Sequence, residues 1–446
     1  MNLTRIIALF ATAFASTFAL AQENVTPQSL AEQIEQLEVK TTAADASAAT
    51  WVGLGNGYMQ QTRETVSHDF SKAEEAFTRA LVLDPKATEA LVGMAWVKNS
   101  EHDFAAGRSW AEKALAINPE SHDAHSLIGD CAVELGNYDE AYDHYQAALD
   151  LRLDLSSYSR AAHLLWITGE ASQAQLLMEK AIVLGGPYPE NLAWCRAELA
   201  LMQFHSGALL AAELQANKAV IDAPNNPRVL AIMARILAAK GEIKEAIALY
   251  AKSVDLNPSH AALAALVDLC GLSGDDAQAK EWTKKVFAYH GGDHHHGDGH
   301  HHHHGHHHQG PTVASAERAM FLAEHGGDIN EAVTEAETVY QSFKNIGVEE
   351  TLAWCYYKAG ELQKARRMIE RAMKWGTSEA SLMFRAGMIY HELGDRPKSR
   401  ELLAKAISLN PGFHPVHAKT AVETLKAPSA SVSRKTSVAV PPPDSE

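Results

Sequence analysis

Half of the histidines in this chain fall in one short glycine-rich stretch, residues 290–310, which holds twelve of the 24. Asp293 and Asp298 interrupt the stretch, so it does not look like an expression tag. Neutral imidazole is a good ligand for Zn, Ni and Cu ions, and selectivity among them needs a defined geometry. We therefore predict an unselective site for these ions on a disordered loop, the alternative being a solvated polar linker; no other cofactor is expected. The predicted ligands are His290, His294, His295, His296, His300, His301, His302, His303, His304, His306, His307 and His308.

Two other short motifs resemble nucleotide-binding or catalytic patterns, but both are incomplete. Residues 53–57 resemble a glycine-rich nucleotide loop, but Tyr58 takes a glycine position and no strand precedes it. His391 begins a zinc-protease pattern, but Asp395 stands where the second histidine is needed. The sequence has no Gly-x-Ser-x-Gly nucleophile elbow. We therefore predict that the protein is not an enzyme.

An internal sequence repeat predicts the helices that would position any functional site. A turn residue, usually glycine, is followed five residues later by alanine, and several copies are spaced 34 residues apart. A small residue follows twelve positions after the turn, and in five copies a proline follows at seventeen. The turn residues are His68, His102, Gly136, Gly169, Gly207, Gly241, Gly274, Gly327, Gly360 and Gly394.

Each repeated position has a physical reason. Glycine tolerates the positive φ that ends a helix, alanine lets two antiparallel helices approach closely, and proline cannot continue the second helix. Apolar residues recur at helical spacing, as at Ile243, Ala246, Ile247 and Tyr250. The repeat therefore predicts an all-α fold of about ten helical hairpins.

This pattern resembles the tetratricopeptide repeat (TPR) family over roughly residues 51–412, apart from the histidine-rich insert. The usual first-helix tryptophan and glycine are mostly absent, and the first hairpin carries extra residues at 62–67. The resemblance implies a right-handed α-solenoid that binds a protein or peptide partner on its concave face. In such a solenoid each repeat is expected to contact only its immediate neighbours.

The resemblance also implies which residues line the concave face, because they fall 13, 10, 6 and 3 positions before each turn. Aromatic side chains on such a face are expected to anchor a partner, and Arg228 and Arg235 could hold a carboxylate. The alternative is that several of them pack between helices, and burial of Trp166 and Trp354 would refute the assignment. The predicted lining residues are Trp96, Asp130, His163, Trp166, Trp194, Phe204, Arg228, Arg235, Phe321, Trp354, Tyr357 and Phe384.

The N-terminal 21 residues have the features of a secretory signal. Arg5 precedes an apolar stretch too short to span a membrane, and Ala19-Leu20-Ala21 fits a cleavage site. We predict cleavage after Ala21 and a periplasmic or secreted chain without membrane insertion; the alternative is an uncleaved anchor.

The remaining chain divides by composition and repeat register. Thr26 and Pro27 are predicted to cap and begin a first helix. The predicted divisions are the signal (1–21), an N-terminal capping region (22–50), repeats 1–7 (51–289), the disordered histidine-rich loop (290–310), repeats 8–10 (311–412), a capping helix (413–426) and a disordered tail (427–446).

Charge and cysteine content limit the partners. The chain has 39 basic and 55 acidic residues, and loss of Arg5 with the signal takes the net charge from −16 to −17. Such a field repels nucleic acid and anionic lipid and suits basic partners or metal cations. Cys131, Cys195, Cys270 and Cys355 fall in non-adjacent repeats, so we predict four buried free thiols.

Two functions remain open at this point. The first is an exported scaffold that binds a protein or peptide. The second is a metal-handling protein for Zn, Ni or Cu, whose solenoid docks to a transporter or metalloenzyme. The sequence does not decide the oligomeric state.

Overall fold

The fold is an all-α solenoid of helical hairpins, as the repeat predicts. The computed structural model describes residues 29–186, 188–289 and 313–427, and these contain 22 α-helices, one 3-10 turn at Met373–Trp375 and no strand. Ten antiparallel hairpins stand between a first and a last single helix.

The single helices are α1 (Leu30–Thr41) and α22 (His417–Lys426). The first five hairpins are α2 (Ala48–Thr65) with α3 (Ser71–Leu83), α4 (Thr88–Ser100) with α5 (Phe104–Ile117), α6 (His122–Glu134) with α7 (Tyr138–Leu151), α8 (Leu155–Ile167) with α9 (Ala171–Leu184), and α10 (Pro189–His205) with α11 (Leu209–Asp222). The last five are α12 (Pro227–Ala239) with α13 (Ile243–Leu256), α14 (His260–Leu272) with α15 (Asp276–Ala288), α16 (Val313–Glu324) with α17 (Ile329–Ser342), α18 (Ile346–Lys358) with α19 (Leu362–Ala372), and α20 (Ala380–Glu392) with α21 (Arg396–Leu409).

The first helices of successive hairpins pack side by side, as α2 does on α4, α4 on α6 and α18 on α20. We call them the inner helices, and the second helices the outer helices. The outer helices are held close by small buried residues, such as Ala212, Ala216 and Ala219 on α11.

The hairpin turns confirm most of the predicted positions. His102 and seven of the predicted glycines have left-handed backbone, with φ between +62° and +90°. Two positions were wrong. The first turn lies at Val66 (φ +53°) rather than His68, because the extra residues extend α2, and the eighth lies at Gly326 (φ +75°) rather than Gly327.

The ends of the solenoid differ in detail from the prediction. The helix α1 begins after Ser29, which forms a capping box with Glu32, while the predicted start at Thr26 and Pro27 lies outside the described residues. A closing helix is present as α22. The predicted signal, the histidine-rich loop and all but the first residue of the predicted tail lie outside the described residues.

The prediction that each repeat contacts only its immediate neighbours is wrong. The turns of hairpins 3, 4 and 5 contact the segments that follow hairpins 8, 9 and 10, an arrangement we call the coil contact. Asn345 Nδ2 donates to the Glu134 carbonyl at 3.0 Å, and Asn410 Nδ2 donates to the Phe204 carbonyl at 2.8 Å. The solenoid therefore coils tightly enough for hairpins five apart to meet.

The four cysteines are buried and free, as predicted. Among the described helices, none combines the length and the apolar character needed to cross a membrane.

Candidate partner-binding site

The predicted concave-face residues divide into a buried and an accessible group. Trp166 and Trp354 are only 5% and 3% exposed, so by the criterion stated above the predicted lining of the concave face is wrong as a set, and each remaining residue is judged by its own exposure. Phe204, Phe321 and Phe384 are likewise buried, and for them the prediction is wrong for the same reason.

The closing helix covers aromatic residues on the inner helices of hairpins 9 and 10. His417 of α22 stacks on Phe384 at 4.6 Å between ring centroids, and Trp354 stacks on Tyr357 at 4.6 Å. In hairpin 8, Phe321 stacks on His325 at 4.3 Å. These aromatic side chains pack against the protein itself, which removes them from the set of partner anchors.

The coil contact buries the two other aromatic residues. Trp166 Nε1 donates to Glu379 Oε1 at 3.3 Å, which joins hairpin 4 to hairpin 10. The carbonyl of Phe204 accepts the hydrogen bond from Asn410. The position rule from single repeats could not detect this burial because it arises between hairpins far apart in sequence.

A polar cluster lies beside the closing helix. Asp268 contacts both His325 Nε2 at 3.1 Å and His414 Nε2 at 3.4 Å. His414 stacks on His417 at 4.0 Å. Burial, with His417 as neighbour, lowers the pKa of His414 to about 3, and burial, with Arg385 as neighbour, lowers the pKa of His417 to about 3.

Ion pairs hold the other side of this cluster. Arg385 donates to Glu324 at 3.0 Å and also to Glu350. Burial alone would raise the pKa of Glu324, but Arg385 together with the neighbouring His414 and His325 lowers that pKa overall. Within the described ranges, no group of three or more His, Cys, Asp or Glu side chains is arranged to hold a metal ion. We interpret the cluster as a structural link between hairpins 7 to 10 and α22.

The accessible predicted residues are concentrated in hairpins 2 to 6. Trp96, Asp130, His163, Trp194 and Arg235 are half-buried, and Arg228 is exposed. Tyr357 is also half-buried, but it lies against Trp354 in hairpin 9. An accessible part of the concave face therefore remains on the N-terminal half of the solenoid.

One ion pair crosses from hairpin 3 to hairpin 4 on this face. Arg160 Nε donates to both carboxylate oxygens of Asp130, at 2.8 and 3.0 Å. Tyr145 donates its hydroxyl to the same carboxylate at 2.8 Å. The carboxylate of Asp130 is therefore fully engaged with its own chain.

A second ion pair crosses from hairpin 5 to hairpin 6. Glu198 is 3% exposed and accepts from Arg228 Nε at 3.0 Å, with His163 Nδ1 3.9 Å away. Burial is the largest influence and raises the pKa of Glu198, but Arg228 together with the neighbouring His163 and His205 lowers that pKa overall. The Arg228 side chain remains 54% exposed, so only part of its guanidinium is used by Glu198.

Arg63 lies at the N-terminal end of the same face. It donates to Asn191 at the start of α10, and its guanidinium carbon lies 5.9 Å from the Trp96 ring centroid. Its side chain is exposed. Cation–π geometry of this kind orients a guanidinium while leaving its remaining N–H donors open.

We define the inner strip as the accessible residues on the inner helices of hairpins 1 to 6, together with the buried Glu198 that pairs with one of them. The sequence prediction missed three of its members, Arg63, Arg160 and Glu198. Arg63 falls three residues before the true turn at Val66, so the position rule would have found it had the turn been placed correctly. Arg160 and Glu198 each lie nine residues before a turn, a position the rule does not include. The inner strip consists of Arg63, Trp96, Asp130, Arg160, His163, Trp194, Glu198, Arg228 and Arg235.

Comparison with known families agrees with the helical repeat. Tetratricopeptide repeat profiles match residues 100–159, 227–260 and 380–413. The chain therefore contains tetratricopeptide repeats, and its solenoid is a scaffold suited to binding a protein or peptide.

One curated relative is the "Formate-dependent nitrite reductase complex subunit NrfG" of Escherichia coli O157:H7, which is 29% identical over 122 residues. The match covers 27% of this chain and spans 59% of the relative's own length.

Several solved structures resemble the chain in fold. Pseudomonas aeruginosa PilF shares 18% identity, with 46% of this chain and 92% of that chain covered and a TM-score of 0.40. YrrB, described as a TPR protein with an unusual peptide-binding site, shares 21% identity, with 43% and 97% covered and a TM-score of 0.31. A human IFIT1 dimer with PPP-AAAA shares 13% identity, with 85% and 88% covered and a TM-score of 0.47.

Proposed function

We propose that this protein is an exported, non-catalytic scaffold that binds a protein or peptide segment along the inner strip. The observation that carries the proposal is the pair of accessible guanidinium groups of Arg63 and Arg228, which only partly use their donors within the chain. Half-buried Trp96 and Trp194 supply apolar surface on the same face. Arginine and tryptophan are the residues most enriched among energetically dominant interface contacts.

The chemistry of the strip indicates what kind of segment it takes. Asp130 and Glu198 are already paired with arginines, so the open hydrogen-bonding capacity belongs to donors. A bound segment should therefore present carboxylates or backbone carbonyls to Arg63 and Arg228, and an apolar side chain to a tryptophan. The curated relative is named as a subunit of an enzyme complex, which supports a role in docking to another protein.

Partner capture from an envelope extract tests this proposal. Arg63→Gln and Arg228→Gln in one chain should abolish capture while the circular dichroism spectrum stays unchanged. Arg79→Gln is the matched control, because Arg79 lies on an outer helix with a side chain 60% exposed. Equal capture by all three proteins would reject the inner strip as the binding site.

Export is part of the same proposal. The support is the sequence of residues 1–21, with an apolar stretch followed by Ala19-Leu20-Ala21. Expression of the full chain followed by N-terminal sequencing should give Gln22 as the first residue, in a fraction released by osmotic shock. A chain that keeps residues 1–21 and stays in the cell would contradict it.

Metal handling is the second candidate function, and the twelve histidines of residues 290–310 favour it. Zn, Ni or Cu ions would be held by the loop while the solenoid docks to a transporter or metalloenzyme. Isothermal titration of the intact chain and of one lacking residues 290–310 tests this candidate. Deletion should remove most uptake of Zn and Ni ions at neutral pH. Uptake by the intact chain should also weaken below a pH of about 6.5, where protonated imidazole cannot bind metal. Equal uptake by both chains would move the site elsewhere.

A further inference from the structure

The outer helices of hairpins 4 and 5 carry an apolar face on the side away from the core. In each outer helix, two residues seven positions apart are turned towards the inner helix, and in most hairpins both are small, as Ala174 and Ala181 are on α9. A residue two positions later lies about 200° around the helix and so faces solvent. We call these two places of each hairpin the outermost positions.

The residue types at the outermost positions of hairpins 4 and 5 can be compared with those of the other hairpins. In hairpins 4 and 5 they hold Leu176, Val183, Leu214 and Ile221. Elsewhere these positions are mostly charged, polar or alanine, and Val82 in hairpin 1 is the one other large apolar side chain among them. Charged examples are Asp143 and Asp150 in hairpin 3, Asp255 in hairpin 6, and Arg367 and Lys374 in hairpin 9. The hairpin fold does not itself demand apolar residues there, so these two hairpins need another explanation.

The exposed fractions are large. Val183 is 85% exposed and Ile221 is 79% exposed, and Leu210, on the same side of α11, is 81% exposed. Leu176 and Leu214 are 53% and 55% exposed. Since α9 and α11 both pack on α10, the two stripes run side by side. Exposed apolar side chains clustered on one side of neighbouring hairpins often mark an interface.

We propose that a second copy of this chain covers this face. A two-fold interface requires that each patch contact its own symmetry mate, so that residue i meets j and j meets i. The stripes on α9 and α11 meet this condition because both consist of two large apolar residues seven positions apart. A two-fold axis parallel to the helices sets Leu176 and Val183 of one copy on Leu214 and Ile221 of the other.

Charges beside the stripes agree with the same arrangement. Lys180 on α9 and Lys218 on α11 occupy equivalent places on one side of the stripes, and Glu179 lies on the other side of α9. The parallel two-fold axis brings Lys218 of one copy opposite Glu179 of the other, twice in the dimer. Copies of a chain with a net charge of −16 repel one another in general. On this face the lysines offset the carboxylate of Glu179, so two copies can approach each other here.

Sedimentation velocity of the full mature chain tests the proposal. We expect a dimer at about 100 µM, where a micromolar interface is saturated. Val183→Glu with Ile221→Glu should give a monomer with unchanged helicity and melting temperature. Ala248→Glu, at an outermost position of hairpin 6, is the matched control and should remain a dimer. A monomeric parent chain at that concentration, or a dimer that persists in the double variant, would overturn the proposal.

A charge exchange separates a second copy from any other occupant. Lys218→Glu and Glu179→Lys should each weaken dimerisation, by about threefold to tenfold for an exposed pair formed twice. The two substitutions in one chain should restore it, because the exchanged charges face each other only if the partner is the same chain. Failure of the double variant to recover would reject the parallel arrangement. Flotation of the parent chain with lipid vesicles, lost in the glutamate double variant, would identify a membrane as the occupant and overturn self-association.

Discussion

The backbone of Gly169 lies against the carbonyl oxygen of Gly376, more than two hundred residues further along the chain. A Cβ atom placed on Gly169 would be 2.6 Å from that oxygen, closer than real Cβ atoms approach. Gly136 and Gly207 are in the same situation against Lys344 and Leu409. Glycine is therefore needed at these three turns for two reasons, its positive φ and the closeness of the coil contact.

Alanine substitution separates these two reasons. Gly169 and Gly241 have similar φ values, +90° and +85°, but a Cβ on Gly241 would meet nothing within 4 Å. Gly241→Ala should cost about 1 kcal/mol for the left-handed backbone alone. Gly169→Ala should cost about 1–3 kcal/mol more, because the coil contact must move apart. Urea unfolding of both variants measures the difference, and equal losses would show that the coil contact contributes no stability.

The Glu198–Arg228 pair should matter more to stability than an ordinary surface pair. Arg228→Ala leaves the buried carboxylate without its arginine, and the ring nitrogen Nδ1 of His163 lies 3.9 Å away. Losing the partner of a buried charge costs about 3–5 kcal/mol, and we expect about 1–2 kcal/mol here because Arg228 is half-exposed. Adding Glu198→Gln should recover part of the loss in a double-mutant cycle followed by thermal unfolding. A coupling energy of zero would contradict the pairing.

The free energy of unfolding should decrease as the pH is lowered, because of His414 and His417. Their pKa values are lowered to about 3 in the folded chain by burial, against about 6.5 when unfolded. The unfolded chain therefore binds more protons below pH 6.5, so these groups cost no stability above about pH 6.5 and progressively more as the pH falls towards 3. Each contributes at most about 1.4 kcal/mol per pH unit.

The measurement is the urea midpoint at neutral and mildly acidic pH. His414→Gln with His417→Gln should make its pH dependence shallower than in the parent chain. Some dependence should remain, because burial also lowers the pKa values of His102, His144 and His205. Identical pH dependence in the two proteins would show that the two imidazoles titrate normally.

The cysteines should be unreactive in the native state. Burial raises the pKa values of Cys131, Cys195 and Cys355 to about 12, so little thiolate is present at neutral pH. A colorimetric thiol reagent should detect none of the four thiols in the native chain and all four in guanidinium. Mass spectrometry without reductant should show no intrachain bridge; a bridge would contradict the repeat register.

The local parts of the fold were predictable because each hairpin repeats the same physics. The glycines Gly136 and Gly360 indicate left-handed turns, whatever the distant residues are. In the same way, the alanines Ala141 and Ala365 indicate that two helices pack closely. The turn at Val66 was missed because a β-branched residue rarely adopts positive φ.

The site was predicted less well because accessibility depends on how the hairpins coil. Trp166 and Arg63 both lie three residues before a turn, yet Glu379 covers Trp166 while Arg63 is exposed. A repeat pattern contains no information on which hairpins meet across a coil. The same limit applies to Phe384, which the closing helix covers through His417.

The coil contact also bears on how the chain folds. A linear repeat array can nucleate at any hairpin and extend one neighbour at a time, which keeps contact order low. Here Ile346 donates its backbone N–H to the Tyr138 hydroxyl across 208 residues, and Thr377 donates to the Ile167 carbonyl across 210. Such contacts can form only after the hairpins that lie between the two partners, about half of the solenoid, are in place. Their loop-closure entropy should delay a last docking step that joins the two halves into one cooperative unit.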